Sequence, residues 1–299
     1  MTITAESVRD LREKTGAGMM DCKKALVSSE GDFERALEIL RKQGLAAANK
    51  KAGRIASEGI IVVALSTDSR KAAMLELNSE TDFVAKNDDF KKFGEDLAHL
   101  ILQKNPASVE ELSGFILGGS ETVTDRLNLL ISKIGEKISL RRFACEEASA
   151  NEKLGSYIHL GSKIGVVVRI NGKNISDTLI KEVAMHVAAS HPLYLKRQEI
   201  PETILAKERE IYLEQMKDSG KPANILEKII EGKLSKFASD ICLADQIFIK
   251  DPTGKKTVAQ VLKEVDPSLQ VLSFTRYQVG EGIEKKKEDF AAEVAKMVQ

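Results

Sequence analysis

Gly155-Ser156-Tyr157-Ile158-His159-Leu160, followed after a short turn by Ile164-Gly165-Val166-Val167-Val168-Arg169-Ile170, decides the fold, because its layout has already occurred once upstream. The earlier occurrence is Gly59-Ile60-Ile61-Val62-Val63-Ala64-Leu65, a charged turn, and Ala73-Met74-Leu75-Glu76-Leu77. Each reads as a β-hairpin: two runs rich in branched apolar residues, joined by polar turn residues. A helix follows each hairpin. In the first copy Phe90, Phe93, Leu97 and Leu100 recur at helical spacing up to Asn105-Pro106; in the second Leu179, Val183, His186 and Val187 run up to His191-Pro192. Each copy closes with one more strand. Ile138-Ser139-Leu140-Arg141-Arg142-Phe143 resembles Leu272-Ser273-Phe274-Thr275-Arg276-Tyr277, with Glu147 in register with Glu281. Two degenerate β-β-α-β copies predict an α+β fold with a core of two related halves.

The second copy is longer than the first between its helix and its closing strand, and residues 199–246 account for the difference. Ile204, Leu205, Ile211, Tyr212 and Met216 form an apolar stripe of near-heptad spacing. Leu226, Ile230, Leu234, Phe237 and Ile241 form another beyond Gly220-Lys221-Pro222. The pattern predicts an antiparallel helical hairpin inserted in the second half.

Upstream, three short helices are predicted. Val8 and Leu11 begin the first, Met19, Cys22 and Leu26 share a stripe on the second, and Phe33, Ala36, Leu37 and Leu40 line the third, with Gly44 as its stop. Leu45–Arg54 reads as a helical or flexible linker carrying a short basic stretch. The expected division is a helical domain with linker over 1–54, a core half over 55–148, a second half over 149–198 and 247–282, the inserted hairpin over 199–246, and a terminal helix over 283–299 with Phe290, Val294 and Met297 on one face.

Several function classes are excluded early. The chain has 299 residues with 45 Lys+Arg against 45 Asp+Glu, a balance that argues against broad polyanion binding, so no direct nucleic-acid partner is expected. Three cysteines without short spacing fit neither a disulfide framework nor a zinc site. No phosphate loop, no G-x-G-x-x-G, no H-E-x-x-H and no G-x-S-x-G is present, and the four histidines lack partners at ligand spacing. No apolar run is long enough to span a membrane and no leader layout opens the chain, so a cytoplasmic protein without membrane attachment is expected. Covalent chemistry and cofactors are not expected.

One segment stands out. Glu80-Thr81-Asp82-Phe83-Val84-Ala85-Lys86-Asn87-Asp88-Asp89 joins the first copy's hairpin to its helix. The plain structural reading makes Asp82 or Asp88 a helix cap and sends Phe83 and Val84 into the core. A metal site among the carboxylates, serving a hydrolase, is the alternative, though no EF-hand spacing supports it.

Thr81-Asp82-Phe83-Val84-Ala85-Lys86-Asn87 resembles a signature of the bacterial elongation factor Ts family, the nucleotide exchange factors of elongation factor Tu. Thr15-Gly16-Ala17-Gly18-Met19-Met20-Asp21-Cys22-Lys23-Lys24-Ala25-Leu26 resembles the family's other signature. The likeness continues through Val183–Ser190, Gly220–Ala223 and Val279–Lys285, in the family's order.

That resemblance implies an N-terminal three-helix bundle of ubiquitin-associated type, two related core halves, an inserted hairpin and a C-terminal helix. It implies elongation factor Tu, GDP-bound and nucleotide-free, as partner. Thr81, Asp82, Phe83 and Val84 would dislodge the partner's Mg²⁺, His159 would approach its phosphate side, and Met19 and Met20 would dock the N-terminal bundle. After His159, Leu160-Gly161-Ser162-Lys163 stands where many members carry a more glycine-rich run. A bundle of this type also occurs in adaptors, so a binding module without exchange activity is the competing reading. The hairpin's role, including pairing of two copies, is left open.

Overall fold

The computed structural model describes residues 3–172, 175–217 and 222–284. The chain opens with α1 (Ala5–Thr15), α2 (Met19–Ser28) and α3 (Phe33–Lys51). Thr4 and Ser7 form a capping box on α1, and Asp32 caps α3 by accepting from the Arg35 amide. Leu11, Cys22, Leu26, Leu37 and Leu40 close the bundle's core.

Two expectations fail here. Gly44 does not stop α3, which continues to Lys51, so most of the expected linker is helix. Gly44 is buried, and a Cβ there would lie 3.2 Å from the backbone of Asn128. The glycine serves close helix packing rather than a turn. Met19, placed on the buried stripe with Cys22 and Leu26, is instead 55% exposed, because Cys22, Ala25 and Leu26 alone fill the bundle-facing side of α2.

The first half comprises β1 (Glu58–Leu65), β2 (Lys71–Ser79), the one-turn α4 (Asp82–Ala85), α5 (Asp88–Lys104), α6 (Val109–Ser113), a small β3–β4 ribbon (Ile116–Gly118, Glu121–Thr122), α7 (Val123–Ile134) and β5 (Ile138–Glu147). β1, β2 and β5 form an antiparallel sheet in that order. The second half comprises β6 (Glu152–Ile158), β7 (Ile164–Asn171), α8 (Asp177–Ser190), α9 (Glu202–Met216), α10 (Ala223–Ile241), α11 (Val258–Val265) and β8 (Gln270–Gln278). Its sheet repeats the plan, β6-β7-β8, antiparallel throughout. Each middle strand carries one register shift opposite its closing strand, at Glu76/Leu77 and at Arg169/Ile170.

Period-two alternation gives each sheet two apolar faces. Ala73, Leu75 and Leu77 of β2 pack with Phe90, Leu97 and Ile131, whereas Ala72 and Met74 pack with Ile61, Leu154 and Val167. On β7, Val166, Val168 and Ile170 meet Val183, Val187 and Leu262. The result is a four-layer sandwich, helices–sheet–sheet–helices. The sheets approach so closely that a Cβ on Gly165 would lie 2.4 Å from Ile61 Cγ2.

Glu76 projects into this central layer, where it is fully buried. Its carboxylate accepts from Arg141 Nη1 (3.1 Å), Arg142 Nε (2.7 Å), Asn78 Nδ2 (3.1 Å) and the amide of Gly280 (2.8 Å). Arg142 also reaches Glu281. One carboxylate thus ties β2, β5 and the chain beyond β8 together. Burial works to raise its pKa, but the Gly280, Asn78 and arginine hydrogen bonds outweigh it and hold the carboxyl below its ordinary value.

α9 and α10 form the expected antiparallel hairpin, linked by an Arg209–Glu227 ion pair and by Lys233 over the Tyr212 ring. Its apolar stripe is only partly covered. Among the described residues α9 has no buried side chain and α10 only Ile230 and Ala238, since a two-helix unit offers one seam. The hairpin enters and leaves at one place. Leu193 and Tyr194 donate to the Ile241 carbonyl, and Leu243 donates to that of Tyr194. Nearby, fully buried His186 accepts from the Ile249 amide at Nδ1 (3.2 Å), so Nε2 carries the proton and donates to Gln246 Oε1 (3.0 Å). Burial lowers its pKa, keeping it neutral. The terminal helix expected over 283–299 falls, from residue 285 on, outside the described residues.

Candidate functional site

The site begins where β2 runs out. Ser79 Oγ donates to the Thr81 carbonyl (2.9 Å), turning the chain into α4. Thr81 is then gripped from across the fold: its amide and hydroxyl donate to Glu136 Oε2 and Oε1 at 2.9 and 2.7 Å. Glu80 accepts from the Lys137 amide and from Arg54 Nη1, while Lys137 Nζ donates to the carbonyls of Ala52 and Arg54. The base of α4 is thereby fixed between the end of the N-terminal bundle and the start of β5.

On this base α4 divides its side chains. Val84 and Ala85 are buried in the first half's core, and Phe83 is 78% exposed. The plain structural reading is therefore right for Val84 and wrong for Phe83. A single helical turn clamped at its N-cap residue, Thr81, buries one side and presents the other to solvent. The expected caps also change. Asn87, not Asp88, caps α5 by accepting from the Phe90 amide, and Asp82 pairs with Lys86 (2.8 Å). The Lys86 hydrogen bond, supported by the charges of Lys86 and Lys163, holds the Asp82 carboxyl below its ordinary value. Lys86 also lies over the Phe83 ring, 5.6 Å from its centroid. Glu80 and Asp82, considered together as metal ligands, thus serve different partners.

His159 lies at the same end of the sandwich. It precedes a 3₁₀ turn, Leu160–Ser162, in which Gly161 and Ser162 both adopt positive φ, and its Nδ1 lies 3.0 Å from Tyr157 Oη. Lys163 pins this turn to the start of β1 through Glu58 Oε2 (2.8 Å) and the Gly59 carbonyl (3.0 Å). Leu160 at the tip is 87% exposed. Glu58 and Gly59 pair with Ser79 and Asn78, so the His159 turn and the α4 turn leave from neighbouring strand ends. Met19 and Met20, 55% and 61% exposed, stand on α2 in the N-terminal bundle. The fold therefore unites Thr81–Val84 with His159 and leaves the methionines on another element. Sequence reasoning missed the clamp residues Glu136, Lys137 and Arg54, because 55 residues separate Thr81 from Glu136 and no spacing rule links them.

The chemistry on offer is that of contact: an exposed aromatic, an exposed Leu and His, and paired charges on a rigid base. The Cys22, Cys145 and Cys242 thiols are free, and burial raises the pKa of all three.

A family model described as elongation factor TS matches residues 80–281, a span that begins at the clamp and ends at the Glu281 network. The chain belongs to the elongation factor Ts family. It is 46% identical to elongation factor Ts of Clostridium acetobutylicum over 99% of both chains, and 49% identical to that of Thioalkalivibrio sulfidiphilus over 98% of both. The corresponding protein of Hydrogenovibrio crunogenus is 47% identical over 99% of this chain and 97% of its own. The family is one of translation elongation factors, and its expected α+β plan is the plan observed. No helix among the described residues is long and apolar enough to cross a membrane.

Proposed function

We propose that this chain is the guanine nucleotide exchange factor of elongation factor Tu: it binds the GDP-bound factor, displaces the Mg²⁺ held there, and stabilises the nucleotide-free state until GTP loads. The observation that supports this best is Phe83, 78% exposed on a turn whose base is clamped at Thr81. A mobile aromatic would lose much of its leverage in ordering; a clamped one can wedge between partner elements at little entropic cost. Mg²⁺ bridging phosphate oxygens supplies much of a nucleotide's affinity, so moving it raises the off-rate. In this reading Asp82 re-pairs polar groups the wedge exposes, Val84 anchors the turn, and His159 with Leu160 faces the partner's phosphate side.

Met19 and Met20 fit a docking face of the N-terminal bundle, whose α3 packs closely on α7 at Gly44 and whose core includes Leu129. No covalent bond changes. By linkage, whatever free energy the chain takes from GDP binding, GDP takes from the chain's binding, typically about 1–3 kcal/mol and more for an efficient exchanger. We place this cycle in the cytoplasm, where translation elongation runs.

The test is release of fluorescent GDP from purified elongation factor Tu. Substoichiometric chain should accelerate release, and Phe83→Ala should remove most of the acceleration while leaving the fold intact. A folded wild-type chain that binds without accelerating release would leave a binding module of the same architecture.

A further inference from the structure

Thr81 breaks a local rule. It is the N-cap residue of α4, where a threonine hydroxyl ordinarily accepts from one of the helix's first free amides, yet its side chain makes no capping hydrogen bond. The hydroxyl donates instead to Glu136 Oε1 (2.7 Å), and the Thr81 amide donates to Glu136 Oε2 (2.9 Å). A helical turn of four residues gains little from its own backbone bonds, so it can ill forgo a cap. The group that would hold α4 to itself holds it to another element.

That element is the end of α7. The helix stops at Gly135, in the left-handed region (φ 85°), and Glu136 and Lys137 follow directly before β5. α7 belongs to two cores. Leu129 lies in the core of the N-terminal bundle with Leu11, Leu26 and Leu37, whereas Leu130 and Ile131 lie in the first half's core with Val84 and Phe90. Gly44 brings α3 against the Asn128 backbone of the same helix. Lys137 Nζ then pins the exit of α3 by donating to the Ala52 and Arg54 carbonyls at 2.7 and 2.8 Å. The bundle that carries Met19 and Met20 and the turn that carries Phe83 are therefore mounted on one helix, the bundle along its length and the turn at its C-terminal end.

Two contact elements on one rigid spar engage a partner together only where its matching surfaces stand at the same separation, and the free energy of docking one then bears on the other. A loose turn would leave docking intact but reduce the fraction of bound molecules with Phe83 in place. We propose that Glu136 is the positioning residue of the exchange reaction. Through Thr81 it holds the Phe83 turn at a set distance from the bundle, so that docking of the bundle drives the aromatic into the partner. This role rests on the exchange reading of Thr81–Val84 and adds to it the residue and the helix that couple the two contacts.

The chain has no tryptophan, so Phe83→Trp places a single indole at the wedge. Its fluorescence anisotropy should decay almost entirely with tumbling of the whole molecule, whereas Phe83→Trp combined with Glu136→Ala should add a fast component from local nanosecond motion. Glu136→Gln should keep the slow decay, because its amide carbonyl can accept from the Thr81 amide while its NH₂ donates to the Thr81 hydroxyl. In GDP release from elongation factor Tu, Glu136→Ala should lower the rate at saturating chain about tenfold while shifting the half-saturating concentration less than about threefold, since docking by the bundle persists. Adding Glu136→Ala to Phe83→Ala should cost nothing further, the mark of a residue that acts only through Phe83. Unchanged anisotropy in Glu136→Ala, a loss that adds to that of Phe83→Ala, or a raised half-saturating concentration with an unchanged maximal rate would each overturn the proposal alone. A folded wild-type chain that accelerates no release would overturn the exchange reading and this role with it. Melting curves establish that each variant is folded. Should Glu136→Ala fail to fold, Thr81→Val, which removes only the hydroxyl bond, should give the same pattern at smaller amplitude, and wild-type behaviour there would overturn the proposal equally.

Discussion

Leaving Phe83 in water forgoes roughly 1.5–3 kcal/mol of burial that a core position would provide. Its removal therefore costs the fold little: Phe83→Ala should shift unfolding stability by no more than about 0.5 kcal/mol in either direction, read by chemical denaturation. Under the proposed function its effect falls on exchange, where a loss of about tenfold or more would correspond to roughly 1.4 kcal/mol of lost interaction with the partner. Asp82→Ala should cost exchange less, since its exposed pairing with Lys86 is dispensable; equal losses would contradict that ranking.

Glu76 behaves oppositely. Truncating one partner of a buried, paired charge costs about 3–5 kcal/mol, so Glu76→Ala should melt far below wild type although the residue lies outside the Thr81–Val84 turn. Acid should expose the same group. Its folded pKa lies below the ordinary 4.5, so its stabilisation is complete above that value and is lost as pH falls through the folded pKa. His186, whose folded pKa is also lowered, acts earlier. Below its ordinary 6.5 the unfolded chain takes up a proton the native state refuses, and stability declines toward the folded pKa. Stability measured against pH should thus fall in two stages, and His186→Gln should remove the first. Local pattern carried Val84's burial and sent Phe83 inward with it, whereas the structure leaves Phe83 in water. Which side of one helical turn faces water is set by Glu136, a contact that local pattern does not encode.

Long, strongly periodic elements were legible: both hairpins, α5, α8 and the closing strands follow directly from alternation and helical spacing. The stretch between Asn105 and Ile138 was not, although it holds α6, the β3–β4 ribbon and α7. The signal was present as capping chemistry. Thr122 and Asp125 form a reciprocal capping box on α7, and Thr257 and Gln260 form another on α11. Thr257→Ala should therefore cost about 1 kcal/mol of stability in denaturant unfolding, and an unchanged midpoint would show that α11 is held by packing alone. Gly44 misled for the converse reason. Glycine marks both helix ends and close helix crossings, and only the approach of Asn128 distinguishes the two.

In the whole molecule the two copies depend on one another, because each sheet keeps an apolar face that only the other sheet covers. Overpacking that layer should be felt by both halves at once. Gly165→Ala drives a methyl group against Ile61 and should destabilise by about 1–3 kcal/mol in a single transition that loses both halves together. Two separate transitions would mean that the halves unfold independently. The duplicated plan could be read from repetition; its face-to-face assembly could not, because alternation shows that a strand has two apolar faces without saying what covers the second.

The short ladder joining Leu193 and Tyr194 to Ile241 and Leu243 has a consequence for how this chain tolerates change. A segment that departs and returns through the same pair of backbone groups is invisible to the closure of β7 with β8: the ring the polymer must close is set by the ladder, not by the contour of what hangs from it. Once the ladder forms, the entropic cost of lengthening the hairpin falls on the hairpin alone, and each doubling of a loop costs only about 0.6 kcal/mol in any case. The hairpin is therefore a natural point of drift, free to grow, shrink or acquire a new face while the duplicated core stays under constraint.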